Sequence, residues 1–565
     1  MPRTPGRPPI WQLKAGKVTR DLNEEIVEYD DAMLELFGIP VFYTPYFYHP
    51  DPTVERKSGL LAPTFAHSGE LGFQYEQPVY FVIDDQSDLT LSPRLTSREG
   101  PVLRGEHRQQ FSFGSIESDG SITYVEDEDG NGRKNGDNVV RGHFKSVGNF
   151  RLNDNFTSGY DVLYTSDDTY MRVYDIQGGT QTRSRAFVNG FNGRDFAGME
   201  AFYFQDLTDG AKEGDIPIVL PLAELVVGGE PDVIGGRVQA EFTGLALQRT
   251  GGRDVRRLSL DTGWERQFVD GIGGVTTIGG YVSADGYNVS EAQATDPTAS
   301  EDDYFIGRIW PMAVLDWRLP MVRTGERIDQ TFEPRIQIIG SPAVGNANDI
   351  PNEDSQSFEF SDANLFSKNR FAGEDRIDSG SRVNYGFTTA LLGSSGGSTE
   401  FAIGQSVRLN DNSQFGVGSG LEDRFSDIVG RLTIAPSSWF NYTFRYRVGL
   451  DRPELNRHEH QLRYLGDIFT LDLGYVSVPR DINGVNAGNI EEVNFEGTVN
   501  FLDNWSLIGG YRGDLDGGPI RMEGGIRYLD ECFDFQFGAS RDFTSDRDAD
   551  ATTAFLVRFR LRGLN

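Results

Sequence analysis

Phe440-Asn441-Tyr442-Thr443-Phe444-Arg445-Tyr446-Arg447-Val448 decides the fold. Phe440, Tyr442, Phe444, Tyr446 and Val448 alternate with Asn441, Thr443, Arg445 and Arg447, the period-2 pattern of a β-strand. One face is aromatic and the other cationic, which reads as an outer wall and an inner one. The pattern recurs at Phe469/Leu471/Leu473/Tyr475, at Val493/Phe495/Gly497/Val499/Phe501, at Trp505/Leu507/Gly509/Tyr511 and at Phe533/Phe535/Phe537/Ala539. Turn formers such as Asp514-Leu515-Asp516-Gly517-Gly518-Pro519 separate these runs. Aromatic residues at strand ends suit the girdles of a membrane barrel.

Composition narrows the choice. No apolar run approaches the roughly 18–20 residues of a spanning helix, so helical insertion is excluded. The mean hydropathy of −0.43 does not exclude a transmembrane barrel, because its lumen face is polar and each strand needs only about 9–11 residues. A soluble sandwich of 565 residues would split into domains, since single cores stop growing at about 250–300 residues. A propeller should show a shared motif in repeats of about 40–50 residues, and none is found. At roughly 19–20 residues per strand and connection, residues 59–565 hold about 26 strands. The final run, Phe555, Val557, Phe559 and Leu561 against Arg558 and Arg560, supplies a closing strand. A barrel must pair it with the first strand to remove its edges.

Residues 10–55 read differently. Ile10–Val18, Ile26–Asp31 and Ala32–Phe37 read as short strands with turns between them, too few to make an independent core. The sequence thus predicts an all-β chain: residues 1–55 are consistent with the C-terminal part of a jelly roll, which the resemblance given below makes periplasmic, and residues 56–565 with a large antiparallel transmembrane barrel. Met1-Pro2-Arg3-Thr4-Pro5 lacks an apolar signal region, which reads as a fragment without its true N-terminus.

The formal charge of −32 argues against nucleic acid, which needs a basic face. Glu126-Asp127-Glu128-Asp129, Glu301-Asp302-Asp303 and Glu353-Asp354 read as solvated loops; divalent cations bridging to anionic lipid are the sharper alternative. No enzyme chemistry emerges. His458-Glu459-His460 places its Glu on the opposite strand face from the histidines, and an exposed loop is expected there. Asp127-x-Asp129-x-Asn131-Gly132 begins like a Ca²⁺ loop, but Asn138 stands where a bidentate Glu belongs. No cofactor and no metal site is expected.

Three further segments carry a resemblance. The first is Pro40–Arg108, with Pro45-Tyr46-Phe47, Arg56-Lys57-Ser58-Gly59, Gln77-Pro78-Val79-Tyr80-Phe81 and Asp88–Arg94, then Arg98-Glu99-Gly100. The second is Phe366-Ser367-Lys368-Asn369-Arg370-Phe371-Ala372-Gly373-Glu374-Asp375-Arg376-Ile377. The third is Cys532 with the terminal Leu561-Arg562-Gly563-Leu564. In this order they resemble the LptD family of outer-membrane lipopolysaccharide-assembly proteins. The resemblance implies lipopolysaccharide as cargo, outer-membrane lipid around the barrel, an LptE-type lipoprotein plug and a periplasmic jelly-roll bridge of the LptA type. It implies a lateral gate between the first and last strands. Pro63 and Pro78 match the family's prolines in the first two strands, while Phe555, Val557, Phe559 and Leu561 form the opposite lip. Cys532, the only cysteine, would have a partner in N-terminal sequence that this chain lacks.

Two expectations follow from cost. Arg on the lipid face at mid-membrane destabilises a barrel by about 2–4 kcal/mol, so Asn369, Arg370, Asp375 and Arg376 should line the lumen or a strand end. Asp375 with a neighbouring Arg would hold a loop folded inward. Leu60–His67 alternates poorly and Pro63 lacks an N–H, so its register is weakly specified. The first and last strands should therefore pair over fewer residues than other neighbours. A soluble or surface-attached β-rich binding protein is the alternative; heat-modifiable migration and extraction only by detergent separate the two.

Overall fold

The computed structural model describes residues 11–561 apart from 37, 52, 55, 129–133, 177–178, 209, 296–300, 411–412, 451–452, 483–484, 531–532 and 545–550. Among these, residues 59–561 form a closed antiparallel barrel of 26 strands. Three of the strands are broken where proline removes a ladder donor. The first consists of Gly59–Leu60 and Thr64–Ser68, interrupted at Pro63. The second consists of Gly72–Glu76 and Val79–Asp84, interrupted at Pro78. The third is Tyr304–Arg318 with Met321–Arg323, interrupted at Pro320.

Burial in this barrel is inverted relative to a soluble core. Phe305 and Ile309 are 74% and 65% exposed, whereas Arg308 on the other face of the same strand is 5% exposed. Leu258 points outward beside the buried Arg257. Apolar side chains outside and charged ones inside are what lipid on one side and a polar lumen on the other select. Connections at the end bearing the N-terminal sheet are short, such as 85–86, 112–113 and 193–194. The longest connections, 166–180, 291–303, 341–381 and 409–427, all lie at the other end. Short turns face the periplasm and long loops the cell exterior in such barrels.

A separate four-stranded sheet precedes the barrel. Trp11–Lys14 and Lys17–Asp21 pair end to end with Ile26–Leu36, whose other edge pairs with Ile39–Pro50. The break expected between Asp31 and Ala32 is a kink rather than a turn. Asp31 adopts a left-handed φ of 52° across from Pro45, which has no N–H to pair, and the strand continues through it. Ile39–Pro50 is itself a strand, although the sequence pattern assigned it no element.

Candidate functional site

The barrel closes between its first strand and its last, Thr553–Leu561. The register there holds four pairs: Phe555 with His67, Leu556 with Ala66, Val557 with Phe65, and Arg558 with Thr64. Among the described residues of the barrel every other pair of neighbouring strands shares at least six. The last strand pairs with its other neighbour over nine. The seam ladder stops at Thr64, the residue after Pro63. Phe559 and Leu561 therefore lie on strand residues beyond the paired stretch.

Pro78 sits elsewhere: it faces the first strand from within the second, not the last strand. Leu61 N donates to Pro78 O at 3.0 Å, and the return bond of such a pair would need the N–H that proline lacks. The Gln77 side chain replaces it. Its Nε2 donates to Leu61 O at 2.8 Å and to Pro78 O at 3.1 Å, while its Oε1 accepts from Tyr75 OH at 3.0 Å. Ala62 and Pro63 together stand opposite Gln77, so the strand bulges there. Gln77 falls within a quoted segment, but the sequence assigned it no role, because a glutamine before a proline does not show which backbone group its side chain will serve.

Away from the seam the lumen is occupied by the connection 341–381, which folds inward. Asp375 is its anchor. The Asp375 carboxylate accepts from Arg257 Nη1 at 2.7 Å, Tyr287 OH at 3.2 Å and Glu353 N at 2.7 Å. Arg257 Nη1 also reaches Asp354 at 2.6 Å. Arg308 pairs with Asp285 at 2.6 Å and donates to Glu374 O at 2.6 Å and Asp375 O at 3.1 Å. Gly373, at φ 69°, lets the Asp354 carboxylate approach and accept from Glu374 N and Asp375 N. A Cβ at Gly373 would collide with that carboxylate.

The rest of the signature closes the loop on itself. Asn369 Nδ2 donates to Arg376 O at 3.0 Å, and its Oδ1 accepts from Asp378 N at 3.1 Å. Arg376 donates to Ile350 O at 3.0 Å. Arg370 and Arg382 flank Asp378 at 2.5 and 3.3 Å, all three being nearly inaccessible to solvent. Burial works to raise the Asp378 carboxyl, but these two guanidinium groups hold it below the usual carboxylate range. Burial among Asp261, Asp285 and Asp354 pushes Glu374 up to about 7. An apolar cluster of Phe360, Leu365, Phe415, Leu421 and Val429 seats the loop from the other side.

All four signature residues thus lie in the lumen, in a loop rather than at the entry to a strand. Two sequence expectations are corrected. Glu353 and Asp354 are not solvated: Glu353 pairs with Arg249 at 2.6 Å and Arg253 at 3.0 Å, and Asp354 with Arg257. Glu301, Asp302 and Asp303 do stay exposed. His458 and His460 lie within the strand Leu455–Leu465, not in an exposed loop. They share the outward face with Phe444 and Tyr475, and His460 Nδ1 meets Tyr442 OH at 2.8 Å. Aromatic neighbours absorb the imidazoles into the girdle, which a polar tripeptide conceals. Cys532 and most of the Asp127–Gly132 motif lie outside the described residues.

A closed 26-strand barrel, apolar outside, with a loop folded into its lumen and one weak seam, is an outer-membrane protein of the large-barrel class. The family model for LPS transport system D, LptD, matches residues 139–505, and the chain belongs to that family. The LPS-assembly protein LptD of Nitrosococcus oceani is 25% identical over 578 residues, covering 98% of this chain and 74% of that protein. That of Chromobacterium violaceum is 24% identical, covering 98% and 70%. That of Thiobacillus denitrificans is 28% identical over 397 residues, covering 68% and 51%.

Proposed function

We infer that this barrel assembles lipopolysaccharide into the outer membrane and releases it sideways through the seam between Thr64–Ser68 and Thr553–Leu561. It is a transport and assembly protein, not an enzyme. The four-residue pairing is the observation that carries the lateral exit. A backbone hydrogen bond is worth about 0.5–1.5 kcal/mol net in water, and an unsatisfied group in lipid costs several. The shortest ladder is therefore where parting leaves the fewest groups unpaired.

On this reading the strands of residues 11–50 are the end of a jelly roll that receives cargo from an LptA-type periplasmic bridge. Sugars cross the polar lumen while acyl chains leave between Phe555 and Val557 on one lip and the segment around Pro63 on the other. The Gln77–Pro78 junction stiffens the first hairpin, so that lip moves as a unit. An LptE-type lipoprotein shares the lumen with loop 341–381. Energy is supplied outside this chain, and divalent cations act only at the exposed carboxylates such as Glu301–Asp303. Depleting the protein in its own host tests the function. Newly made lipopolysaccharide should stop reaching the surface and accumulate behind it; undiminished surface delivery would contradict the reading.

A further inference from the structure

The connection 166–180 arises between the strands Phe156–Thr165 and Gln181–Asn192, well round the wall from the seam. Its first half does not project into solvent. Asp167 accepts from the backbone N–H of Thr169 and Tyr170 and pairs with Arg141 at 2.6 Å, which shapes the short helix Tyr170–Val173. Tyr170 OH meets Ser121 Oγ at 2.7 Å. Ser121 Oγ also meets His143 Nδ1 at 2.7 Å, and His143 Nε2 lies 2.9 Å from Asp119. That run of Ser, His and Asp has the members of a hydrolytic triad, but Tyr170 occupies the serine and the group is sealed. It acts as an anchor.

From this anchor the helix reaches both lips of the seam. Tyr170 and Tyr174 pack in one buried cluster with Leu71, which sits in the connection of the first hairpin. Arg94, on the third strand, donates to Tyr174 O at 3.3 Å. On the other lip Arg172 Nη2 donates to Thr544 O at 2.5 Å. Thr544 is itself tied to Asp542 at 2.9 Å, at the end of the strand that pairs with the last one over nine residues. Leu71 therefore moves with the first strand, and Thr544 with the last.

We propose that residues 166–176 form a clasp over the exterior end of the seam, gripping the first hairpin through Leu71 and the last through Thr544. The strands cannot part while both grips hold, so release at Arg172 precedes exit of the lipid. The proposal rests on the lateral-exit reading and adds the element that controls it. Arg172 is the sensible point of release. Its contact to Thr544 is polar and only half-buried, whereas Tyr170 and Tyr174 are held by burial.

The test uses the full-length protein with Cys532→Ser, Arg172→Cys and Thr544→Cys, joined by a short bis-methanethiosulfonate crosslinker that reductant cleaves. A second protein carries Ala66→Cys and Leu556→Cys, which are directly opposed across the seam. With the clasp joined, surface lipopolysaccharide should be lost and should recover on reduction, the barrel remaining heat-modifiable on gels throughout. Undiminished export through a fully joined clasp, with the seam disulfide blocking export, would overturn the clasp and leave lateral exit standing. Export undiminished in both proteins would remove the lateral exit and the clasp together. Arg172→Ala alone should speed opening roughly ten-fold or more, as the loss of a hydrogen bond from a charged group implies, read as faster thiol labelling of a lone Cys at Leu556→Cys; no change in that rate would also count against the clasp.

Discussion

Two sectors of one barrel wall are built on opposite principles. From Asp254 to Leu465 the strands pair over up to sixteen residues and are tied inward to loop 341–381 by buried ion pairs. At the seam the ladder holds four pairs, one proline ends it, and no ion pair between the two strands is found among the described residues. In the first sector, removing any one partner strands a buried charge; in the second, parting the strands exposes little. The contrast teaches where the molecule can move. On the lateral-exit reading, motion is expected at the seam because the opposite wall is cross-braced.

The brace should break most severely at Asp378. Asp378→Ala leaves Arg370 and Arg382 facing each other in a buried site, a loss of about 3–5 kcal/mol for an unpaired buried charge. The gel-shift midpoint on heating should fall well below that of the parent. An unchanged midpoint would mean the loop does not brace the wall. At the first hairpin the expected effect is smaller. Gln77→Leu leaves Leu61 O without its donor, costing about 1–3 kcal/mol, and Pro78→Ala should rescue it by restoring the backbone N–H. Additive losses in the double variant, read from unfolding in denaturant, would show that Gln77 does not stand in for that donor.

Pro63→Ala should do less. It supplies one donor beside the seam, worth about 0.5–1.5 kcal/mol, and export should slow while folding improves slightly. Faster export would contradict the weak-seam account. The mildest effect concerns Glu374. Its carboxyl is raised in the folded state, so folded protein binds the proton more tightly than unfolded. Its ionisation therefore weakens the loop as pH rises from about 4.5 towards about 7, and below that range the penalty is absent. Protease cutting within 341–381 should be a few-fold faster at the upper end, and Glu374→Gln should abolish the difference.

The barrel was legible because period-2 alternation is local: Phe440–Val448 states its two faces within nine residues. The closing strand was readable for the same reason, and the poor alternation of Leu60–His67 pointed to the short ladder. The lumen network was not. Asp375 and Arg257 lie 118 residues apart, and no local pattern joins them; only the cost of an Arg in lipid placed Arg370 and Arg376 inside. Glu353 and Asp354 read as solvent-facing for the same reason, their arginines being about a hundred residues upstream in sequence. The roles of Gln77 and Arg172 escaped because each acts through a single long side chain whose partner the local pattern does not show.

The central claim is that lipopolysaccharide leaves through the four-residue seam. A disulfide between Ala66→Cys and Leu556→Cys, on a Cys532→Ser background, joins its two strands at a directly opposed pair. Surface appearance of newly made lipopolysaccharide should stop when that disulfide is formed and resume when it is reduced, with the barrel folded in both states. Undiminished delivery through a fully oxidised seam would contradict lateral release at this place.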